Sequence, residues 1–180
     1  MKNKKSVNTV KLVYAAACLA IALVLPFITG HVPEIGNKLC PMHFPIMLCG
    51  FICGWPYGLA VGLIAAPLRF LLFSAPPFPN FLFMTFELAA YGFFTGLFYK
   101  LLPKKIPFIY ANLIFSMIAG RIVWGIGRFL FMGLTNTSFS FGLFVSLGFI
   151  EAIPGIIFQI ILIPIIVNAF RKAKLMPADK

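Results

Sequence analysis

The chain has 180 residues, 61% hydrophobic and 11% charged, with a mean hydropathy of +1.00. Soluble domains are about 45–50% apolar and about 25% charged, so this chain lacks the polar residues to cover a water-facing surface. Its charge is lopsided: 15 Lys and Arg oppose 4 Asp and Glu, a formal net charge of +11. Composition excludes a soluble nucleic-acid binder and places the chain in a bilayer, where the sidedness of each charge carries the information.

A spanning helix takes about 20 residues, so residues 1–180 have room for roughly six spans in a single transmembrane domain. A transmembrane barrel would show segments of about 10 residues with alternating polarity. These runs are instead apolar on every side.

In chain order, MKNKKSVNTVK leads into LVYAAACLAIALVLPF. The apolar run is long for a signal peptide and no small-x-small cleavage site follows it. It reads as a retained span over about 11–29. Ala16 and Ala20 form a small-xxx-small pair on it, the spacing that lets helices approach closely in lipid. The next loop carries His31, Glu34 and Asn37 and is long for a compact protein, as a lid or wall over a site would be. A short second segment covers about 42–54, opened by Pro41 and His43 and closed by Gly54-Trp55-Pro56. Cys49 and Cys53 stand four apart on it; small apolar packing is expected of them rather than metal or redox chemistry.

The third segment, about 57–74, carries Gly58, Gly62 and Ala66 at four-residue spacing, a ridge either packed tightly inside the protein or offered to a partner helix, followed by Arg69. Pro76-Pro77-Phe78-Pro79 ends it. The fourth, about 80–101, begins at Asn80 and holds Glu87 with Tyr91 one turn on. After Pro103-Lys104-Lys105, the fifth covers about 107–133 and holds Arg121, Trp124 and Arg128. The sixth covers about 141–170 and holds Glu151 and Gln159.

Basic residues cluster before the first segment (Lys2, Lys4, Lys5, Lys11), between the fourth and fifth (Lys100, Lys104, Lys105) and after the sixth (Arg171, Lys172, Lys174, Lys180). Six crossings put all three clusters on one side, which the positive-inside rule makes the cytoplasm. The five ionisable residues within the spans are Arg69, Glu87, Arg121, Arg128 and Glu151. Each is costly in hydrocarbon unless paired or hydrated, which makes it a functional candidate. They either pair among themselves to fix helix packing, or line a polar pocket in the outer half with one guanidinium to spare. Arg binds carboxylates by two parallel hydrogen bonds, so an anionic small molecule is a natural guest, and Arg128 is first expected to hold it. No HExxH, GxSxG or nucleotide-binding glycine loop is present, so neither catalysis nor ATP hydrolysis is expected of this chain.

The stretch LCPMHFPIMLCGFICGWPYGLAVGLIAAPLRFLLF resembles the substrate-binding S components of energy-coupling factor (ECF) vitamin transporters. The likeness lies in the outer loop, the polar residue near a proline, the short apolar helix, the Trp-Pro break and the small-residue-rich third helix. It implies an all-α membrane bundle of six transmembrane helices with cytoplasmic termini, in a bacterial plasma membrane. It also implies capture of a vitamin or related micronutrient at the outer face. Partners would be a transmembrane coupling subunit and two ATPases that consume ATP, with no cofactor in this chain. Ala16 and Ala20, with Gly58 and Gly62, would be docking positions. Placed by depth rather than by motif, the pocket candidates are Asn37, His43, Arg69, Asn80, Glu87, Tyr91, Arg121, Trp124, Arg128 and Glu151. The spare positive charge makes pantothenate or another carboxylate the first guess. A membrane scaffold without transport and a small integral-membrane enzyme are the alternatives.

Overall fold

A computed structural model describes residues 4–29, 38–134 and 140–177. The elements are α1 (Lys4–Thr29), α2 (His43–Cys53), α3 (Trp55–Phe73), α4 (Asn80–Leu101), α5 (Ile106–Leu134), α6 (Phe141–Val145), a π-helical turn (Ser146–Ile150) and α7 (Ile153–Lys172). No strand occurs among the described residues. Five stretches are long and apolar enough to cross a membrane: Val7–Ile28, Trp55–Phe73, Asn80–Leu101, Ile106–Met132 and Ser146–Lys172. The chain is a multi-pass membrane protein.

The expected second span is α2, and it is shorter than a full crossing. Its 11 residues rise about 16 Å against a hydrocarbon core of about 30 Å. Every residue of α2 is buried, with α1, α3, α4 and α7 packed around it. Full enclosure is what allows so short a helix to stand in a membrane, because neighbours rather than lipid meet its ends. Segment 39–42, in turn and irregular conformation, leads into it.

Gly54 ends α2 with φ 93, a left-handed conformation that suits glycine, and Pro56 occupies the first turn of α3. The chain reverses there, and α3 runs back alongside α2. Gly58 and Gly62 of α3 then meet α4 backbone to backbone. A Cβ on Gly58 would strike the Gly92 carbonyl, and one on Gly62 the Leu88 carbonyl. Gly96 lies as closely against the Trp55 backbone. The small-residue ridge is therefore consumed inside the bundle. Gly58 and Gly62 are covered by α4, which corrects the expectation that they dock a partner. Gly58→Val is expected to cost about 1–3 kcal/mol or more through overpacking, with exposed Ala60→Val as the neutral control. Thermal unfolding of the detergent-solubilised variants measures the difference.

The expected sixth segment, about 141–170, is also broken. Pro154 has no N–H to donate to the carbonyl four residues earlier, and the chain before it widens into the π-helical turn. The Glu151 N–H bonds the Ser146 carbonyl, five residues back, at 3.0 Å. Glu151 and Ala152 form a turn, and α7 starts afresh at Ile153.

On α1, Ala15, Cys18 and Ala22 face inward at helical spacing, while Ala16 and Ala20 on the far side are exposed. Three described basic groups mark one end of the bundle. Lys11, Lys100 and Lys104 border one cleft there. Arg171 lies three turns beyond Gln159, which bonds Cys40 at the other end, so it too points toward the Lys11 end.

Candidate binding site

At the end opposite Lys11, a cavity of about 480 Å³ opens above α2. It occupies the space that a full-length second helix would fill. Cys40, Pro41, Met42 and His43 contribute to it from the start of α2, and Pro26 from α1. Arg69 lines it from α3, Arg121 from α5, and Leu147, Glu151 and Ala152 from the broken sixth segment. Lys38, Ala75, Pro76 and Met84 complete the wall.

Behind the cavity lies a buried polar cluster. The Arg121 Nη1 is 2.8 Å from Glu87 Oε1, a close ion pair rather than an aligned hydrogen bond. His43 Nε2 lies 3.3 Å from the same oxygen. The His43 ring meets Tyr91 edge-on at 5.1 Å, and Tyr91 stands one turn from Glu87 on α4. Arg121 Nη2 donates to the Cys40 thiol sulfur at 3.6 Å, while Gln159 Nε2 donates to the Cys40 carbonyl at 3.4 Å. Four elements thus converge: α2, α4, α5 and α7. Glu87 is only 2% exposed and Arg121 7%. A charge so far from water requires a partner, and each supplies the other's. His43 Nδ1 and Arg121 Nε make no hydrogen bond among the described residues.

Arg69 is held differently. Its Nη1 donates to the Leu23 carbonyl of α1. Its guanidinium lies 4.8 Å from the Phe27 ring and 5.7 Å from the Phe73 ring. These described partners, a carbonyl and two rings, fix its direction without neutralising its charge. The cavity is lined by three cations, Lys38, Arg69 and Arg121, and one carboxylate, Glu151. Glu87 is committed to Arg121.

The residues nominated from the sequence divide accordingly. His43, Arg69, Arg121 and Glu151 line the cavity; Glu87 and Tyr91 stand directly behind it. Trp124 and Arg128 lie further along α5, outside its lining. The Arg128 guanidinium sits 5.1 Å from the Trp124 ring and 5.9 Å from Phe83. Asn80 is exposed at the start of α4 and does not line the cavity either. Asn37 falls outside the described residues. Lys38, absent from the nominated residues, joins the lining, and its place in the outer loop two residues before Cys40 is the signal that points to it.

On the other side of the Cys40, His43 and Arg121 wall is a second, apolar pocket of about 260 Å³. Ile114, Met117, Ile118, Phe149, Ile156 and Ile160 supply its apolar faces. The two spaces share a cationic partition.

A bundle of apolar, membrane-length helices with a cavity lined by cations at one end has the form of a membrane-embedded solute-binding protein. The chain matches the family model of the ECF transporter substrate-specific component over residues 10–173. It belongs to that family. Membership makes it the substrate-binding component of an ECF transporter, a family of transport proteins. It implies a small-molecule substrate and association with ECF coupling and ATPase modules. No curated protein and no solved structure matches the chain significantly.

Proposed function

We propose that the chain captures a vitamin-like carboxylate in the 480 Å³ cavity and delivers it to a coupling subunit driven by two ATPases. The observation that carries this reading is the pair of buried guanidiniums, Arg69 and Arg121, lining one cavity with Lys38. A volume of this size lies within the roughly 300–1,000 Å³ of small-molecule sites. The positive end of the α2 dipole adds to the same field, since α2 begins at the cavity floor without a side-chain cap.

The positive-inside rule assigns the Lys11, Lys100 and Lys104 end to the cytoplasm of a bacterial plasma membrane and the cavity to the outer face. ATP is consumed by the partner subunits and this chain carries no cofactor of its own. Pantothenate is the first carboxylate to test. The apolar pocket behind Arg121 favours a second class, acids with a compact apolar tail such as lipoate-like compounds. Mass spectrometry of the small molecules that co-purify with the protein tests the reading. A carboxylic acid is the expected result, and a cation or an uncharged amine would overturn it.

Ala16 and Ala20 provide the docking face on α1. Both are exposed, and their small side chains let a partner helix approach closely where no hydrophobic force drives association. Ala16→Trp and Ala20→Trp are expected to reduce uptake about tenfold or more while leaving substrate affinity within about twofold. Paired uptake and binding assays check this, and normal uptake by both variants would sink the assignment.

A further inference from the structure

The bundle carries a second polar space that substrate capture does not use. A cleft of about 290 Å³ lies at the α2–α3 junction, bordered by Lys11 of α1, Lys100 of α4 and Lys104 of the α4–α5 connection. Trp55, Tyr57 and Tyr99 form much of the remaining wall, and among the described residues no carboxylate lines it. Lys104 Nζ sits 5.4 Å from the Tyr99 ring, and Trp55 packs edge-on against Phe93 at 5.6 Å. Lys11 and Pro26, which lines the substrate cavity, stand about 22 Å apart along α1, so the two sites occupy opposite ends of the bundle.

Three features coincide at this cleft. The charged side chains that line it among the described residues are all lysines. Its aromatic residues are those that settle at the boundary between hydrocarbon and water, with Trp55 37% exposed. Its flanks are apolar and open: Leu12 beside Lys11 is 62% exposed, and Leu101 beside Lys100 is 68% exposed. A soluble anion would use the lysines alone. An amphiphile with an anionic head uses the lysines and the flanks together.

We propose that this cleft binds the phosphate headgroup of an anionic phospholipid, its acyl chains lying along the exposed apolar surface beside Leu12 and Leu101. The shared chemistry is a phosphate anion at the membrane interface, and the lipid is the source to which the flanks point. The proposal does not depend on which end of the bundle is cytoplasmic or on the identity of the transported solute.

The test is native mass spectrometry of the intact protein released from nanodiscs of equal phosphatidylglycerol and phosphatidylcholine. Wild type is expected to retain phosphatidylglycerol over phosphatidylcholine by about fivefold or more. Lys100→Gln with Lys104→Gln should bring the ratio close to one, and Lys100→Arg with Lys104→Arg should keep it. Equal retention of both lipids by wild type, a measurement that needs no variant to fold, would overturn the proposal. So would an unchanged preference in the glutamine variant. Release of phosphatidylglycerol by millimolar inorganic phosphate would reassign the cleft to a free anion. A glutamine variant that keeps its lipid preference but loses co-purification with the coupling subunit would reassign it to a protein contact.

Discussion

Arg69→Gln is expected to weaken binding of a carboxylate ligand by roughly 10- to 100-fold, the value of a charge-assisted hydrogen bond of about 1.5–3 kcal/mol. Glutamine keeps a donor for the Leu23 carbonyl, so the link between α1 and α3 survives while the positive charge is lost. Arg69→Lys restores charge but not the planar fork, and should recover part of the affinity. Arg128→Gln provides the contrast. Its guanidinium rests beside Trp124 and Phe83 outside the cavity lining, so affinity should stay within about threefold. Titration calorimetry of the three purified variants separates these outcomes. A large loss at Arg128 with none at Arg69 would move the anion site along α5.

The second large effect concerns the buried pair. Glu87→Ala leaves Arg121 without its ion-pair partner at a site 7% exposed, and is expected to destabilise the bundle by about 3–5 kcal/mol. Glu87→Leu with Arg121→Met removes both charges and should recover most of that loss, because apolar residues of similar size pack in place of the pair. Stability and function then part company. The double variant is expected to fold and still fail to bind the anion, since Arg121 is also a cavity wall. Unfolding curves and binding titrations on the same preparations test both halves. A double variant that folds and binds normally would make the pair purely structural.

These expectations show how far the residues alone reach. Hydropathy and the Pro and Gly breaks placed the helices, because a bilayer demands continuous apolar runs and marks their ends clearly. The short apolar run before Gly54 signalled that α2 is undersized. Its consequence, a cavity in the unfilled column, needed the neighbouring helices in place. Small-residue spacing revealed that something packs closely on Gly58 and Gly62, but lipid and protein are equally apolar neighbours. Only the fold shows that Gly92 and Leu88 of α4 are the partners on one face, while Ala16 and Ala20 stay exposed.

The site was legible in rotation but not in depth. Glu87 and Arg121 belong to one cluster, although counting along the helices places Arg121 deeper than Glu87. Arg128, seven residues beyond Arg121, shares its face by helical periodicity and was the first expectation for the ligand. Seven residues also rise about 10 Å, which carries it past the cavity. Lys38 takes the place among the lining cations that Arg128 was expected to hold. The break at Glu151 was hidden for another reason. A π-helical turn keeps the apolar composition of a helix, so only Pro154 advertises it.

The central claim is that a fixed group of cations in the cavity holds a carboxylate. The most direct measurement is calorimetric titration of the wild-type protein with the co-purified acid, or with pantothenate, against the primary amide of the same molecule. The account predicts that the acid binds about 100-fold more tightly or better, since the amide keeps the shape but leaves Arg69 without an anion and removes the second carboxylate from beside Arg121. Equal affinity for acid and amide would contradict it.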